Sequence, residues 1–253
     1  MSAPRFVALC GPRRQEGRDR AFESVVKEAK AATDGKLLVV NLDAGARWPA
    51  APIKTARAGL TRYVRNALFG DIPFVGHDEA RSVFSELLKR DAADSLDGRI
   101  VLALADEAQI GSLCGILDAL AFFVPGDSRS VPWLFPIVKD ISARRGCPCC
   151  ITVLDERRIE KAAEFFLSMK AELGSLAKKD LDIAFNACIA FDPEKTSLCA
   201  ANGLSYTDFF SGEDAHGQAK VVAKGILAMT AGQEGSPASD ALRVFIDASA
   251  SAR

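Results

Sequence analysis

The chain has 253 residues, 49% hydrophobic and 26% charged, with 32 Lys and Arg against 33 Asp and Glu for a formal net charge of −1. That apolar share and charge balance exclude a disordered or collagen-like chain, and the length suffices for one large α/β core. Near-zero net charge also argues against general nucleic-acid binding, which needs a basic surface to displace counterions from phosphates.

The hydrophobic pattern predicts the elements in chain order. Phe6–Cys10 (FVALC) is a short apolar run closed by Gly11-Pro12 and reads as a buried strand. Asp19–Ala32 carries Phe22, Val25, Val26 and Ala29 at helical spacing. Leu37–Leu42 (LLVVNL) is a second strand, and the Pro- and Ala-rich stretch Ala44–Pro52 reads as irregular. Leu60–Phe69 and Glu79–Leu88 are amphipathic at the helical period. Arg99–Ala105 (RIVLALA) is a third strand, Ile110–Leu117 a helix, and Ala119–Val124 (ALAFFV) a fourth strand. Ser130–Ile141 reads as a helix with Pro132 tolerated in its first turn and Pro136 expected to kink it. Cys149–Leu154 is a fifth strand, Glu156–Leu176 the clearest helix, Ile183–Ala190 a sixth strand and Ala215–Met229 a last helix.

Apolar strands alternating with helices, with no hairpin signal between them, predict a three-layer, doubly wound α/β fold on a mostly parallel sheet. Residues 1–230 are expected to form that domain, and 231–253, opening with AGQEGSPAS, a flexible linker and tail. Ligands of such sheets bind beyond the carboxyl ends of the strands. The loops after Cys10, Leu42, Ala105, Val124, Leu154 and Phe191 are therefore the places to seek a site.

No apolar run reaches the roughly 18 residues of a spanning helix. The opening MSAPRFVALC has too short an apolar run for a signal peptide and no small-residue cleavage site after it. Seven cysteines, an odd number scattered over a chain of ordinary core size, read as reduced thiols. A cytoplasmic protein is expected. Ala241–Ala248 (ALRVFIDA) lacks the basic cluster of a membrane anchor, and docking of this tail on its own domain or on a partner is the preferred reading.

A strand, a glycine, a loop and a helix in that order is where nucleotide-binding α/β proteins hold phosphate. Here the loop runs Gly11-Pro-Arg13-Arg-Gln-Glu-Gly17-Arg18-Asp19. A working phosphate loop uses glycine backbone N–H groups, a Lys for the β- and γ-phosphates and a Ser or Thr hydroxyl for Mg²⁺. This one keeps Gly11 and Gly17, offers Arg18 for the Lys and puts Asp19 at the hydroxyl position, with Glu16 adding negative charge.

The ordered series resembles the MinD/ParA family of deviant-Walker P-loop ATPases, in particular its branch that counts and places flagella. Arg13-Arg-Gln-Glu-Gly17-Arg18-Asp19 falls on the family's Lys-Gly-Gly-Val-Gly-Lys-Thr. Val40-Asn41-Leu42-Asp43-Ala44-Gly45 matches its Val-Asp-x-Asp-x-Gly, so the resemblance gives Asp43 the role of polarising the attacking water. The family's Mg-binding Asp is replaced by Leu104 or shifted to Asp106. Asp118–Val124 with Pro125, Asp127 and Ser130 resembles the next motif, Leu154-Asp155 stands where an adenine-reading Asn is usual, and Asp192 ends the last motif.

The resemblance implies a P-loop NTPase-like fold, ATP or ADP with Mg as ligands, a homodimer, and protein partners of flagellar or polar assembly. The departures fall on the groups that touch Mg-ATP. They favour a MinD-like spatial regulator or scaffold without ATP hydrolysis, hence not an enzyme. Gly11, Arg13, Gly17, Arg18 and Asp19 are then a degenerate nucleotide loop. The alternative is an ATPase in which Arg18 serves for the Lys and Asp43 positions the water. A third reading is a metal- or thiol-dependent protein built on Cys147, Cys149 and Cys150. A metal site wants more clustered thiolates than this string supplies, so core packing is expected and no metal ligand is assigned. His77 and His216 have no Ser, Cys or second His at catalytic or metal spacing, and surface residence is expected. Glu156–Leu176 is expected to cover the sheet rather than to bind a partner.

Overall fold

The computed structural model describes residues 5–13, 17–34, 36–43, 54–55, 67–69, 72–75, 100–115, 117–143, 147–202 and 214–230, the side chains of 54–75, 112, 142, 143, 200 and 214–216 (His216 among them) excepted. In chain order the strands are β1 (Arg5–Cys10), β2 (Leu37–Asn41), β3 (Lys54–Thr55), β4 (Ala67–Phe69), β5 (Ile72–Val75), β6 (Ile100–Ala105), β7 (Ala119–Pro125), β8 (Cys149–Leu154) and β9 (Ile183–Ile189). The helices are α1 (Arg18–Ala32), α2 (Glu107–Leu113), α3 (Ser130–Ala143), α4 (Ile159–Ala177), α5 (Pro193–Ala201) and α6 (Asp214–Thr230).

The strands form one nine-stranded sheet in the order β3-β4-β5-β2-β6-β1-β7-β8-β9. From β5 to β9 every pairing is parallel, as continuous apolar runs buried on both faces require. The six expected strands are β1, β2, β6, β7, β8 and β9, and the doubly wound architecture holds.

One edge departs from the expected pattern. Ala67–Phe69, assigned from sequence to the end of a helix, is a strand that turns back antiparallel onto β5, pairing Leu68 with Pro73 and Phe69 with Ile72. Only Gly70-Asp71 separates the two strands, a turn-forming pair of residues that the helical periodicity masked. β3 then pairs antiparallel with β4. Short α5 was also not anticipated. It starts at Pro193, where proline's fixed φ suits the first helical turn. The expected helix Glu79–Leu88, the stretch Ala44–Pro52, the tail 231–253 and His77 lie outside the described residues.

Two cores flank the sheet. On one face Val7, Leu9, Val39, Leu102 and Phe123 pack with Phe22, Val25 and Val26 of α1 and Val222 and Ile226 of α6. On the other, Ala8, Val40, Ala103, Phe122 and Ile151 pack under α2, α3 and α4, through residues such as Ile110, Leu134, Ile137, Phe166 and Met169. Successive residues of a strand face opposite ways, so each central strand feeds both cores. α4 buries Ala162, Phe166, Met169 and Leu173, and it covers the sheet as expected.

The chain order places the phosphate-type loop. β1 lies between β6 and β7, with β2 beyond β6 and β8 beyond β7, so the strand order reverses at β1. The crevice above that reversal is where open α/β sheets bind ligands. Gly11, which follows β1, stands at that end of the sheet.

Candidate functional site

Five charged side chains from three loops meet above β1, β2 and β6. Arg18, the first residue of α1, is only 2% exposed despite its charge, and its guanidinium points into the molecule. Its Nη1 lies 3.0 Å from Asp43 Oδ2 and donates to the Gly11 carbonyl at 3.2 Å. Its Nε donates to Asp19 Oδ1 at 2.9 Å and Nη2 lies 2.7 Å from the same oxygen. All three guanidinium nitrogens therefore have an acceptor, as burial of that group demands. The ring of Phe22 lies 5.6 Å below the guanidinium carbon, within cation–π range.

Arg13, half exposed, closes the other side. Its Nη2 donates to Asp106 Oδ2, and its Nε lies 3.8 Å from Asp43 Oδ1. The Asp106 hydrogen bond, followed by the charge of Asp106 itself, pushes the Arg13 pKa up. Asp43 is thus flanked by Arg18 and Arg13 while only 1% exposed. Its own N–H is held by Asn41 Oδ1 at 3.1 Å and by the Leu104 carbonyl at 3.2 Å, so the end of β2 is tied to β6. Two arginines here face three carboxylates, Asp19, Asp43 and Asp106. Beneath them, burial first and Glu107 second push the Cys10 thiol well above its ordinary value.

Asp106 has a second duty that sequence reasoning missed. It is the N-cap of α2: Oδ1 accepts from Ala108 N–H at 2.9 Å and Gln109 N–H at 3.1 Å, while Gln109 Oε1 accepts the Asp106 N–H at 3.0 Å. This reciprocal capping box is readable in Asp106-x-x-Gln109. Gln109 Nε2 also donates to the Leu42 carbonyl and fastens α2 to the end of β2.

Both glycines of the loop are constrained. Gly17 is the N-cap of α1 with φ 85°, the left-handed region, and a Cβ there would lie 3.2 Å from Asp155 Oδ1. The Asp155 carboxylate, itself at φ 63°, therefore stands beside the amino end of α1, where a helix favours an anion. At Gly11 a Cβ would meet the Phe123 carbonyl at 2.8 Å and the Cδ and Cγ of Arg18 at 3.0 and 3.1 Å. The space above Gly11 is taken by the Arg18 side chain.

The structure thus brings Gly11, Arg13, Arg18, Asp19 and Asp43 into one cluster, with Gly17 at its rim against Asp155. Other sequence-matched residues are elsewhere. Asp118 sits at the opposite end of the sheet, where Oδ2 accepts the Phe6 N–H at 2.7 Å. Asp127 pairs with Arg129 on the surface. Ser130 Oγ donates to the Pro125 carbonyl at 2.5 Å and shapes the turn after β7. Asp192 Oδ1 accepts from Glu194 and Lys195 N–H at 3.0 and 3.2 Å at the start of α5. Cys149 belongs to one core and Cys150 to the other, as strand alternation requires. Among the described residues no group of three or more His, Cys, Asp or Glu has metal-holding geometry, and no helix is long and apolar enough to cross a membrane.

No protein-family model and no curated protein matches the sequence. Solved structures do match. A ParA family ATPase from Chlorobium tepidum superposes with a TM-score of 0.60 at 8% identity, covering 88% of this chain and 99% of that one. The MinC:MinD cell division protein complex of Aquifex aeolicus gives 0.53 at 8% identity over 92% and 99% of the two chains. Apo McdA from Cyanothece gives 0.53 at 14% identity over 88% and 99%. The chain has the three-layer fold of the ParA/MinD P-loop ATPases, reached at an identity too low for the fold to carry their chemistry with it.

Proposed function

We propose that the protein is a MinD-like spatial regulator or scaffold that acts through protein partners and does not hydrolyse ATP. The observation that carries this reading is the buried Arg18 guanidinium, paired with Asp43 and Asp19 over Gly11. A phosphate-binding cation must present N–H groups to the ligand. Arg18 presents them to its own chain, and Arg13 is committed to Asp106 and Asp43.

The residues do not fit Mg-ATP. Phosphate over Gly11 meets the Arg18 methylenes, the helix amino end already has Asp155 beside it, and the surrounding carboxylates repel an anion. The carboxylates that would have to hold Mg²⁺ are engaged by arginines. Asp43, the residue matched to the family's water-polarising acid, acts in this reading as the counter-ion of Arg18.

The described residues of the loop are then held by their own ion pairs, and the homodimer implied by the resemblance would not depend on ATP. Protein partners are supported by the fold's occurrence in the MinC:MinD complex. A cytoplasmic site of action and partners from flagellar or polar assembly complete the proposal, on the strength of the sequence resemblance.

Calorimetric titration with ATP and ADP, with and without Mg²⁺, tests it. The expected result is no binding heat and no rise in Tm at millimolar nucleotide. Micromolar, Mg-dependent binding overturns the reading and restores Arg18 as a phosphate ligand.

A further inference from the structure

The end of the sheet opposite the ion cluster holds a different chemistry. Cys147 and Cys149 line one open cavity of about 460 Å³ between the carboxyl-terminal part of α3 and the segment entering β9, with Ile141, Lys179, Asp180 and Asp182. Of the seven free cysteines, Cys147 alone is partly exposed; the other six are buried. The two thiols are spaced by one residue and fall on the same side of the chain, while Cys150 faces the other core. The Cys149 thiol donates to the Cys147 carbonyl oxygen at 3.2 Å, which folds the Cys149 side chain back over the Cys147 peptide. Core packing accounts for Cys150; Cys147 also packs against the core, but part of its surface opens to the cavity that Cys149 lines with it.

We propose that Cys147 and Cys149 form a peroxide-reactive dithiol, in which Cys147 is the attacking sulfur and Cys149 the resolving one. The Cys147 thiolate attacks the outer oxygen of a hydroperoxide. The O–O bond breaks, the alkoxide takes a proton to leave as alcohol, and Cys147 becomes a sulfenic acid. The Cys149 sulfur then displaces hydroxide from that sulfenic acid. The S–S bond forms, and the hydroxide combines with the Cys149 proton to leave as water. Two thiols lose two electrons and the peroxide gains them.

The hydrogen bonding of the two thiols suits that order. A hydrogen bond from the Cys149 thiol holds Cys147 below the usual thiol range, against burial and the charge of Asp118. The same bond, with burial, pushes Cys149 up. The lower-pKa thiol is thus the accessible one, the arrangement that attack on an oxidant requires. Lys179 supplies a cation on the cavity wall and Asp180 and Asp182 oppose it.

The test treats the full-length folded protein with one equivalent of hydrogen peroxide, then alkylates and maps every cysteine. The expected product joins Cys147 to Cys149 and leaves the five others alkylatable. In Cys149→Ser the first step persists and a dimedone adduct accumulates on Cys147. In Cys147→Ser peroxide consumption falls about tenfold or more, toward that of buried thiols. Oxidation spread evenly over the cysteines, a different disulfide, or unchanged peroxide consumption in Cys147→Ser overturns the proposal. The wild-type map decides the matter even if a variant fails to fold, and it is independent of whether nucleotide binds.

Discussion

Two arginine–aspartate pairs stand at the carboxyl edge of the same sheet and have opposite standing. Arg18 and Asp43 are 2% and 1% exposed and 3.0 Å apart; Arg129 and Asp127 are 74% and 39% exposed and 2.5 Å apart. The exposed pair has more contacts, with Arg129 Nε reaching both Asp127 oxygens at 3.1 and 3.0 Å. Distance is therefore a poor guide to importance. Water screens the exposed pair whether or not it forms, whereas the buried ions depend on partners within the protein because neither has solvent to fall back on.

That difference has measurable consequences. Arg18→Ala strips Asp43 and Asp19 of their buried partner and opens space over Gly11, and it should cost about 3–5 kcal/mol in denaturant unfolding. A loss below about 1 kcal/mol would put the buried pair on a par with an exposed one. Gly11→Ala presses a Cβ on the Phe123 carbonyl and the Arg18 stem and should cost about 1–3 kcal/mol. Asp106→Ala removes the α2 cap and the Arg13 partner together, for about 0.5–2 kcal/mol.

The double variant Arg18→Met with Asp43→Leu sharpens the contrast. It removes both buried charges, so its stability should lie closer to wild type than that of Arg18→Ala. A double variant as unstable as the single one would show that shape, and not charge pairing, holds the loop.

Arg129→Ala is the smallest expected effect: no measurable shift in Tm. Its trace is a titration. In the wild type the hydrogen bond from Arg129 lowers the Asp127 pKa. A depressed carboxylate favours the folded state above its unfolded pKa and loses that contribution as pH falls through the folded one. In Arg129→Ala the Asp127 midpoint, followed by NMR, should therefore rise toward the ordinary carboxylate value. An unmoved midpoint would remove Arg129 as its cause.

Much of the architecture is legible along the chain, because it rests on local pattern. FVALC, LLVVNL, RIVLALA, ALAFFV and CCITVL are each too apolar to meet water on either face, which leaves only inner strands of a covered parallel sheet, while IAFNACIA, with Asn186 in its middle, forms the edge strand β9. The same logic points to the loops after Cys10 and Leu42, while only the family resemblance picks out Asp43 as a candidate residue. It fails at Ala67–Phe69, where a helical period continues into residues that pair as a strand with Ile72–Val75.

What the loop does was decided only in three dimensions. Arg18 and Asp43 are 25 positions apart, and Arg13 and Asp106 93 apart. Nothing local indicates whether those arginines face a ligand or their own chain. The fold brings the end of β2 and the cap of α2 around the loop, and buried guanidinium must find acceptors there. The inward turn of Arg18 is settled by that demand for partners, a property of the assembled site and not of the motif that precedes it.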